Sequence, residues 1–258
     1  MSFWHRVIFC IFSRRTIAVL DLKDPTSTIS KLPRQSKWQI DAVQWNPHVS
    51  HSHLFVTACN QRADVWSWEN PQCRQQNSLK AHTRVISDLD WSPFDPNTLT
   101  TCSVDTYTHL WDIRDLRKPK QSLQGIAGVS QVKWNKRNSH LLATCHDGDI
   151  RIWDARKSHQ PMQYIAGHLS KIHGLDWSPH SQDELATSSQ DCWVKFWNIN
   201  QPRQAIDKLC PSNTPVWRAR YTVINIVPET CIPVLYFWGC QVICEFLLSP
   251  VLLLGKRT

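Results

Sequence analysis

Ten cysteines are spread through the 258 residues, yet no two of them stand in a C-x-x-C pair; the nearest neighbours are Cys240 and Cys244. That spacing offers no zinc site and no disulfide framework. A helical period is missing as well, since apolar residues nowhere in the repeating part of the chain recur at three and four positions. The net charge is +8 and the pI about 9.0. The basic residues are scattered, as at Arg114, Arg117, Lys118 and Lys120, or at Arg151 and Arg156. They form no stripe interleaved with aromatics of the kind that reads single strands, so nucleic acid is disfavoured. A solvated basic rim accounts for them, and an acidic partner is compatible with that charge. The first dozen residues, MSFWHRVIFCIF, lack the longer apolar run and the small cleavage-site residues of a signal peptide.

Tryptophan is what the chain has in excess, and it is periodic. Trp45, Trp91, Trp134 and Trp177 fall at intervals of 46, 43 and 43 residues; Trp68, Trp111, Trp153 and Trp197 follow at 43, 42 and 44. A double period near 43 marks a stack of similar units, and such stacks usually work through an assembled surface. The unit is clearest over residues 81–114. Residues 85–91 interleave apolar and polar side chains, Ser92-Pro93 stops them, 99–103 form a second β-prone run, Asp105-Thr106 turns, and 108–113 form a third. Cys59, Cys102 and Cys145 recur near the middle of the second run, as small packed residues of a protein in a reducing compartment.

Six residues ahead of the later tryptophans stand Asp105, Asp147 and Asp191, and 23 residues ahead of two of these stand His82 and His168. With Ser103, and with Ser188 or Ser189, they predict a buried chain from His to hydroxyl to Trp N–H, the Asp holding the His. The expected structural network is His82, Ser103, Asp105, Trp111, Asp147, Trp153, His168, Ser188, Asp191 and Trp197. Its recurrence from unit to unit argues against catalysis, because an enzyme needs one site. No catalytic residue, metal ligand, cofactor or small-molecule substrate is expected.

Ala81-His82, Trp111-Asp112, Trp153-Asp154 and the turn aspartates resemble the WD repeat, in which four strands form one β-propeller blade. The resemblance covers residues 17–222 and implies an all-β fold: about four complete blades plus two partial ones, in an incomplete ring. Residues 17–22 read as the third strand of a preceding blade, and 216–222 as the first strand of a following one, with Tyr221 arriving 44 residues after Trp177. The unit at 126–156 has Ala127-Gly128 in place of the histidine, and the unit at 38–68 has Arg62 in place of the turn aspartate. Both are expected to hold their turns by other contacts. Segment 1–16 stands outside the repeats. So does the apolar tail 223–258, in which 231–254 is about long enough to cross a bilayer. Pro233, Gln241, Glu245 and Pro250 interrupt it, and it reads either as an anchor or as a mis-spliced or read-through end.

QSKW (35–38), AVQWNPH (42–48), HTRVISDLDW (82–91), HDGDIRIWD (146–154), HLSKIHGLDW (168–177), ATSSQD (186–191) and VWRARYT (216–222) are similar to the N-terminal propeller of the WD-repeat fifty-nine family, subunits of the GATOR-two complex (the SEA complex in yeast). The resemblance implies a non-catalytic, cytoplasmic scaffold, peripheral on the lysosomal or vacuolar membrane. It would join the other protein subunits of a signalling complex that promotes TOR complex one in response to amino acids. Two other readings stay open: a nucleic-acid or chromatin-associated WD-repeat adaptor, and a truncated gene model without function. The expected partner contacts open the first strands, at Arg84, Lys171 and Trp217, or precede the turn aspartates, at Val104, His146 and Gln190.

Overall fold

A computed structural model describes residues 8–12, 16–21, 30–33, 38–69, 72–157, 160–211 and 213–221. The apolar tail expected as an anchor or a read-through end lies outside them. Among the described residues no helix is long and apolar enough to cross a membrane.

A three-stranded antiparallel sheet comes first: β1 (Ile8–Phe12), β2 (Thr16–Asp21) and β3 (Ser30–Pro33). Strand β1 lies inside the segment set apart from the repeats and pairs with β2 along its whole length. Four four-stranded antiparallel sheets follow in strict meander order. Blade 1 is β4 (Ala42–Trp45), β5 (Leu54–Cys59), β6 (Arg62–Glu69) and β7 (Gln72–Leu79). Blade 2 is β8 (Ile86–Trp91), β9 (Thr98–Ser103), β10 (Tyr107–Asp112) and β11 (Gln121–Gln124). Blade 3 is β12 (Gln131–Trp134), β13 (Leu141–His146), β14 (Asp149–Asp154) and β15 (Gln163–Ala166). Blade 4 is β16 (Ile172–Trp177), β17 (Glu184–Ser189), β18 (Val194–Asn198) and β19 (Asp207–Leu209).

The first strands are innermost, and blades meet along them. Trp91 of β8 donates its indole N–H to the Gln44 carbonyl of β4, and Trp177 of β16 does the same to Lys133 of β12. The apolar cores lie between blades rather than within them. Val56, Val65 and Leu79 of blade 1 pack on Ile86, Trp91 and Trp111 of blade 2; Cys102, Leu110 and Leu123 pack on Val132, Trp134 and Trp153; Ile150, Ile152 and Ile165 pack on Leu175, Trp177 and Trp197. Blades 1, 2 and 3 are thus covered on both faces, and β5 and β13 are buried at every position. Trp91, Trp111, Trp153 and Trp177 are among the largest fully buried side chains. Burying one such ring stabilises the fold by on the order of 5 kcal/mol.

The turn after each first strand is made by the residue that follows the tryptophan. Asn46 Oδ1 accepts the His48 N–H, Ser92 Oγ those of Phe94 and Asp95, Asn135 Oδ1 those of Arg137 and Asn138, and Ser178 Oγ those of His180 and Ser181. This side-chain-to-backbone turn works with or without proline, which is why Lys136 can stand where the other three units have one. The cysteines sit nearer the far end of the second strand than its middle. Cys59 closes β5, Cys102 and Cys145 are next to last in β9 and β13, and all three are buried.

Candidate functional site

The predicted His–hydroxyl–Trp chain exists, with a different hydroxyl. In blade 2, Asp105 accepts from His82 Nδ1 (3.0 Å), His82 Nε2 meets Thr101 Oγ1 (2.9 Å), and Trp111 Nε1–H donates to the same oxygen (2.9 Å). Blade 4 repeats it with Asp191, His168, Thr187 and Trp197 at 2.9, 2.8 and 2.9 Å. The carboxylate takes Nδ1–H, so Nε2 accepts the threonine O–H and a hydroxyl lone pair remains for the indole. Ser103 and Ser189 instead brace the loop, donating to the Arg84 and Ser170 carbonyls and accepting the Asp105 and Asp191 N–H groups. Ser188, the other candidate, faces away and is buried without a hydrogen bond. The reason is register. The threonine sits two residues beyond the residue paired with the tryptophan, on the same face of the sheet: Trp111 pairs Leu99 and Trp197 pairs Leu185.

Blade 3 corrects two further expectations. Asp147, expected in the buried network, instead takes a left-handed conformation (φ 50°) in a two-residue hairpin from β13 to β14. His146, expected on the contact surface, is buried. Its Nδ1 donates to the Ala127 carbonyl (2.9 Å) and its Nε2 meets Thr144 Oγ1 (2.8 Å), which also accepts Trp153 Nε1–H. It replaces the missing histidine from the opposite side of the loop. Blade 1 has the other short hairpin, with Asn60 at φ 55°. Its indole donor to Thr57 is Trp66, not Trp68. Arg62 does not stand in for a turn aspartate either, but pairs with the buried Asp64 at 3.1 Å.

An Asp–His–Thr row has the look of a catalytic triad. Thr101 and Thr187, however, are fully buried, and each hydroxyl already serves two partners. The row holds geometry. Burial opposes the charge on Asp105, but the Thr83 and Tyr107 N–H groups and His82 outweigh it, so its pKa falls below the ordinary carboxylate range. Burial lowers His82 despite Asp105, and lowers His109, whose ring lies 4.3 Å from that of His82, and His146, both to about 4. These histidines are neutral when folded and take protons more readily when unfolded, so stability is complete above about pH 6.5 and declines as pH falls towards 4. The expected loss is on the order of a few kcal/mol. Denaturant midpoints across that window will show it, and His109→Gln with His146→Gln will flatten the slope.

The hairpins after the second strands and the loops before the first strands meet at one end of the blades: the Val104 N–H donates to the Val85 carbonyl, and that of Gln190 to Lys171. Five of the six expected contact residues, Arg84, Val104, Lys171, Gln190 and Trp217, are exposed at this end. Trp217 lies over His173, with ring centroids 4.4 Å apart. The loops add exposed apolar residues that the sequence reading missed: Trp38, Val85, Ile126 (90 % exposed) and Leu169 (99 %). Their signal was position, since each falls within the few residues ahead of a first strand. At the other end three arginines are occupied by neighbouring carboxylates. Arg114, Arg117 and Arg156 fork onto Asp112, Asp115 and Asp154 and hold those carboxyls down to about 2.

Along the innermost strands the blades are tied by charge. Lys133 of β12 reaches back to Asp88 (3.0 Å) and Asp90 (3.5 Å) of β8, while Gln44 of β4 reaches forward to Asp90 (2.8 Å). Lys136 pairs with Asp176 of β16. No group of three or more His, Cys, Asp or Glu among the described residues is placed to hold a metal ion.

The pattern of the WD domain, G-beta repeat, matches residues 73–112, 117–154 and 159–198. Each match runs from the outermost strand of one sheet through the first three of the next, so every repeat bridges two blades. The chain belongs to the WD-repeat family. Among WD-repeat proteins it is similar to the GATOR2 complex protein WDR59 of Homo sapiens, with 54 % identity over 209 residues, covering 81 % of this chain and 21 % of the relative. The Drosophila melanogaster protein of that name is 39 % identical over 214 residues, 82 % of this chain and 22 % of the relative. Maintenance of telomere capping protein 5 of Saccharomyces cerevisiae is 35 % identical over 211 residues, 81 % and 18 %. The WD-repeat chain thus spans about a fifth of the length of these relatives.

Proposed function

We propose that the chain is a non-catalytic scaffold whose blades carry a protein-contact surface in a GATOR2-type complex. The complex promotes TOR complex one signalling in response to amino acids, and the chain is cytoplasmic and peripheral on the lysosomal or vacuolar membrane through it. The observation that supports this reading is the contrast between two sets of residues. The recurring His, Asp and Thr side chains are spent inside the blades. Arg84, Lys171, Trp217, Ile126 and Leu169 stand exposed at one end. Aromatic and Arg side chains surrounded by apolar contacts are the usual anchors of protein interfaces. The pairing of Arg114, Arg117 and Arg156 with their own aspartates leaves less free cationic surface for a phosphate backbone.

The test is co-purification of the chain with the other subunits of the complex. Arg84→Ala with Trp217→Ala is expected to cut capture at least about tenfold, the size of loss typical of anchor residues, with the thermal midpoint unchanged. Arg117→Ala, at the other end, leaves capture intact. Undiminished capture by the double variant overturns the reading.

A further inference from the structure

The hairpins that join second to third strands differ in what they present at the loop end. Gln61, Asp147 and Gln190 are the exposed hairpin residues of blades 1, 3 and 4, whereas blade 2 exposes Val104. The Val104 N–H donates to the Val85 carbonyl (3.2 Å) in the loop ahead of β8, and the Arg84 carbonyl of that loop accepts the Ser103 hydroxyl (3.2 Å). The loop ahead of β12 is pinned to the same hairpin at both its ends. Gly125 N–H donates to the Thr106 carbonyl (2.8 Å) and Val129 N–H to that of Ser103 (3.0 Å). Between those ties Gly128 passes so close to Val104 that an added Cβ would lie 3.2 Å from its carbonyl oxygen. Val85, Val104 and Ile126 are thereby gathered at the junction of blades 2 and 3, all three exposed, with Arg84 beside them.

Arg84 and Lys80 of the same loop are exposed, and no ion pair among the described residues includes them. Two carboxylates flank the loop, and both are engaged. Asp105 accepts from His82 and from the Thr83 and Tyr107 N–H groups, and Asp41 accepts the Asn60 N–H. The matching place in blade 4 differs. Gln190 stands there instead of Val104, and the exposed Asp147, whose carbonyl accepts the Ile172 N–H (2.7 Å), adjoins Lys171. We propose that the junction of blades 2 and 3 binds a short acidic segment of a partner polypeptide. Its aliphatic side chains lie on Val85, Val104 and Ile126, and its carboxylate pairs with the Arg84 guanidinium, which can take both carboxylate oxygens at once. The inference rests on the loop end being the contact surface and names what that surface takes. An exposed apolar patch beside an unpaired cation selects an acidic partner over a basic one, and a chain of net charge +8 attracts it from a distance.

The test places a photo-reactive phenylalanine derivative at position 126 of the full chain, co-purified with the other subunits of the complex. Irradiation is expected to cross-link one partner segment that carries Asp or Glu within about five residues of aliphatic side chains, the reach of an extended segment across one junction. Arg84→Glu is expected to cut capture of those subunits at least about tenfold, through like-charge repulsion. Val104→Gln, which copies blade 4, cuts it about fivefold. Raising the ionic strength from about 0.1 to about 1 M shortens the screening length from about 10 to about 3 Å and weakens wild-type capture severalfold. Arg117→Glu, the same reversal at the other end, leaves capture intact. The acidic segment is overturned, and the contact surface stands, if the cross-linked segment has no carboxylate. The same holds if Arg84→Glu captures normally while Arg84→Ala with Trp217→Ala does not. Both fall if no variant at this end alters capture and no cross-link forms. A cross-link to a second copy of this chain, or to a lipid, also overturns the acidic segment. The cross-link is read on a chain otherwise unaltered, so it decides the matter even if a variant misfolds.

Discussion

Lys133→Met is expected to lower the unfolding free energy by about 3–5 kcal/mol, the typical result of breaking a buried ion pair from one side. The Lys133 ammonium lies 3.0 Å from Asp88 and 3.5 Å from Asp90, in a setting where all three side chains are about one-tenth exposed. It also donates to the Leu89 carbonyl. Burial already pushes the Asp90 carboxyl up, and Lys133 is the largest influence that opposes this. Without the cation, two neighbouring carboxylates at the innermost strand of blade 2 are left uncompensated. Denaturant unfolding of the purified variant measures the loss. Adding Asp88→Asn and Asp90→Asn should restore more than half of it, because the damage comes from the stranded charges rather than from the missing methylenes. Acidification should narrow the deficit as well, since protonating a carboxyl raised in the folded state favours folding. A loss under about 1 kcal/mol would show that water screens the cluster and that the blades are held by their apolar junctions alone.

The blade architecture was legible in the sequence where burial leaves a pattern. The tryptophans close the innermost strands, and the first three strands of blade 2 were located to within a residue, because they are long, β-prone and bounded by Ser-Pro and Asp-Thr. The outermost strands left almost no trace. β11 and β15 bury one side chain each, Leu123 and Ile165, and β19 is exposed throughout, so no alternation survives to be read. The site failed at a finer scale. Thr101 and Ser103, like Trp66 and Trp68, are two residues apart on one face of a strand, and spacing alone cannot choose between them. Cross-strand register chooses, and register depends on hairpin length. The same quantity misplaced His146. A two-residue hairpin draws it back to pair with Asp149 as the last residue of β13, whereas the longer turns of blades 2 and 4 leave Val104 and Gln190 in the open. The separation of tryptophan from threonine records this difference, 9 residues in blades 1 and 3 and 10 in blades 2 and 4.

Thr187→Val is expected to cost about 2–4 kcal/mol. Valine keeps the shape and the β-branch, so the change isolates the hydroxyl. It strands two buried groups at once, His168 Nε2 and Trp197 Nε1–H, and each orphan costs roughly 1–3 kcal/mol. The Asp191–His168 contact survives, which keeps the loop in place and confines the damage to the relay. The neighbouring residue supplies the control. Ser188 is equally buried, but its hydroxyl has no partner, so Ser188→Ala should be neutral or slightly stabilising. Both variants are read by chemical denaturation of the same chain. If the two losses are alike, burial of a hydroxyl at this strand matters and its hydrogen bonds do not. If only Thr187→Val is destabilised, Thr144→Val should match it in blade 3. There the histidine comes from the hairpin instead of the preceding loop, and the hydroxyl, not the origin of the histidine, would then be the common element on which each blade is set.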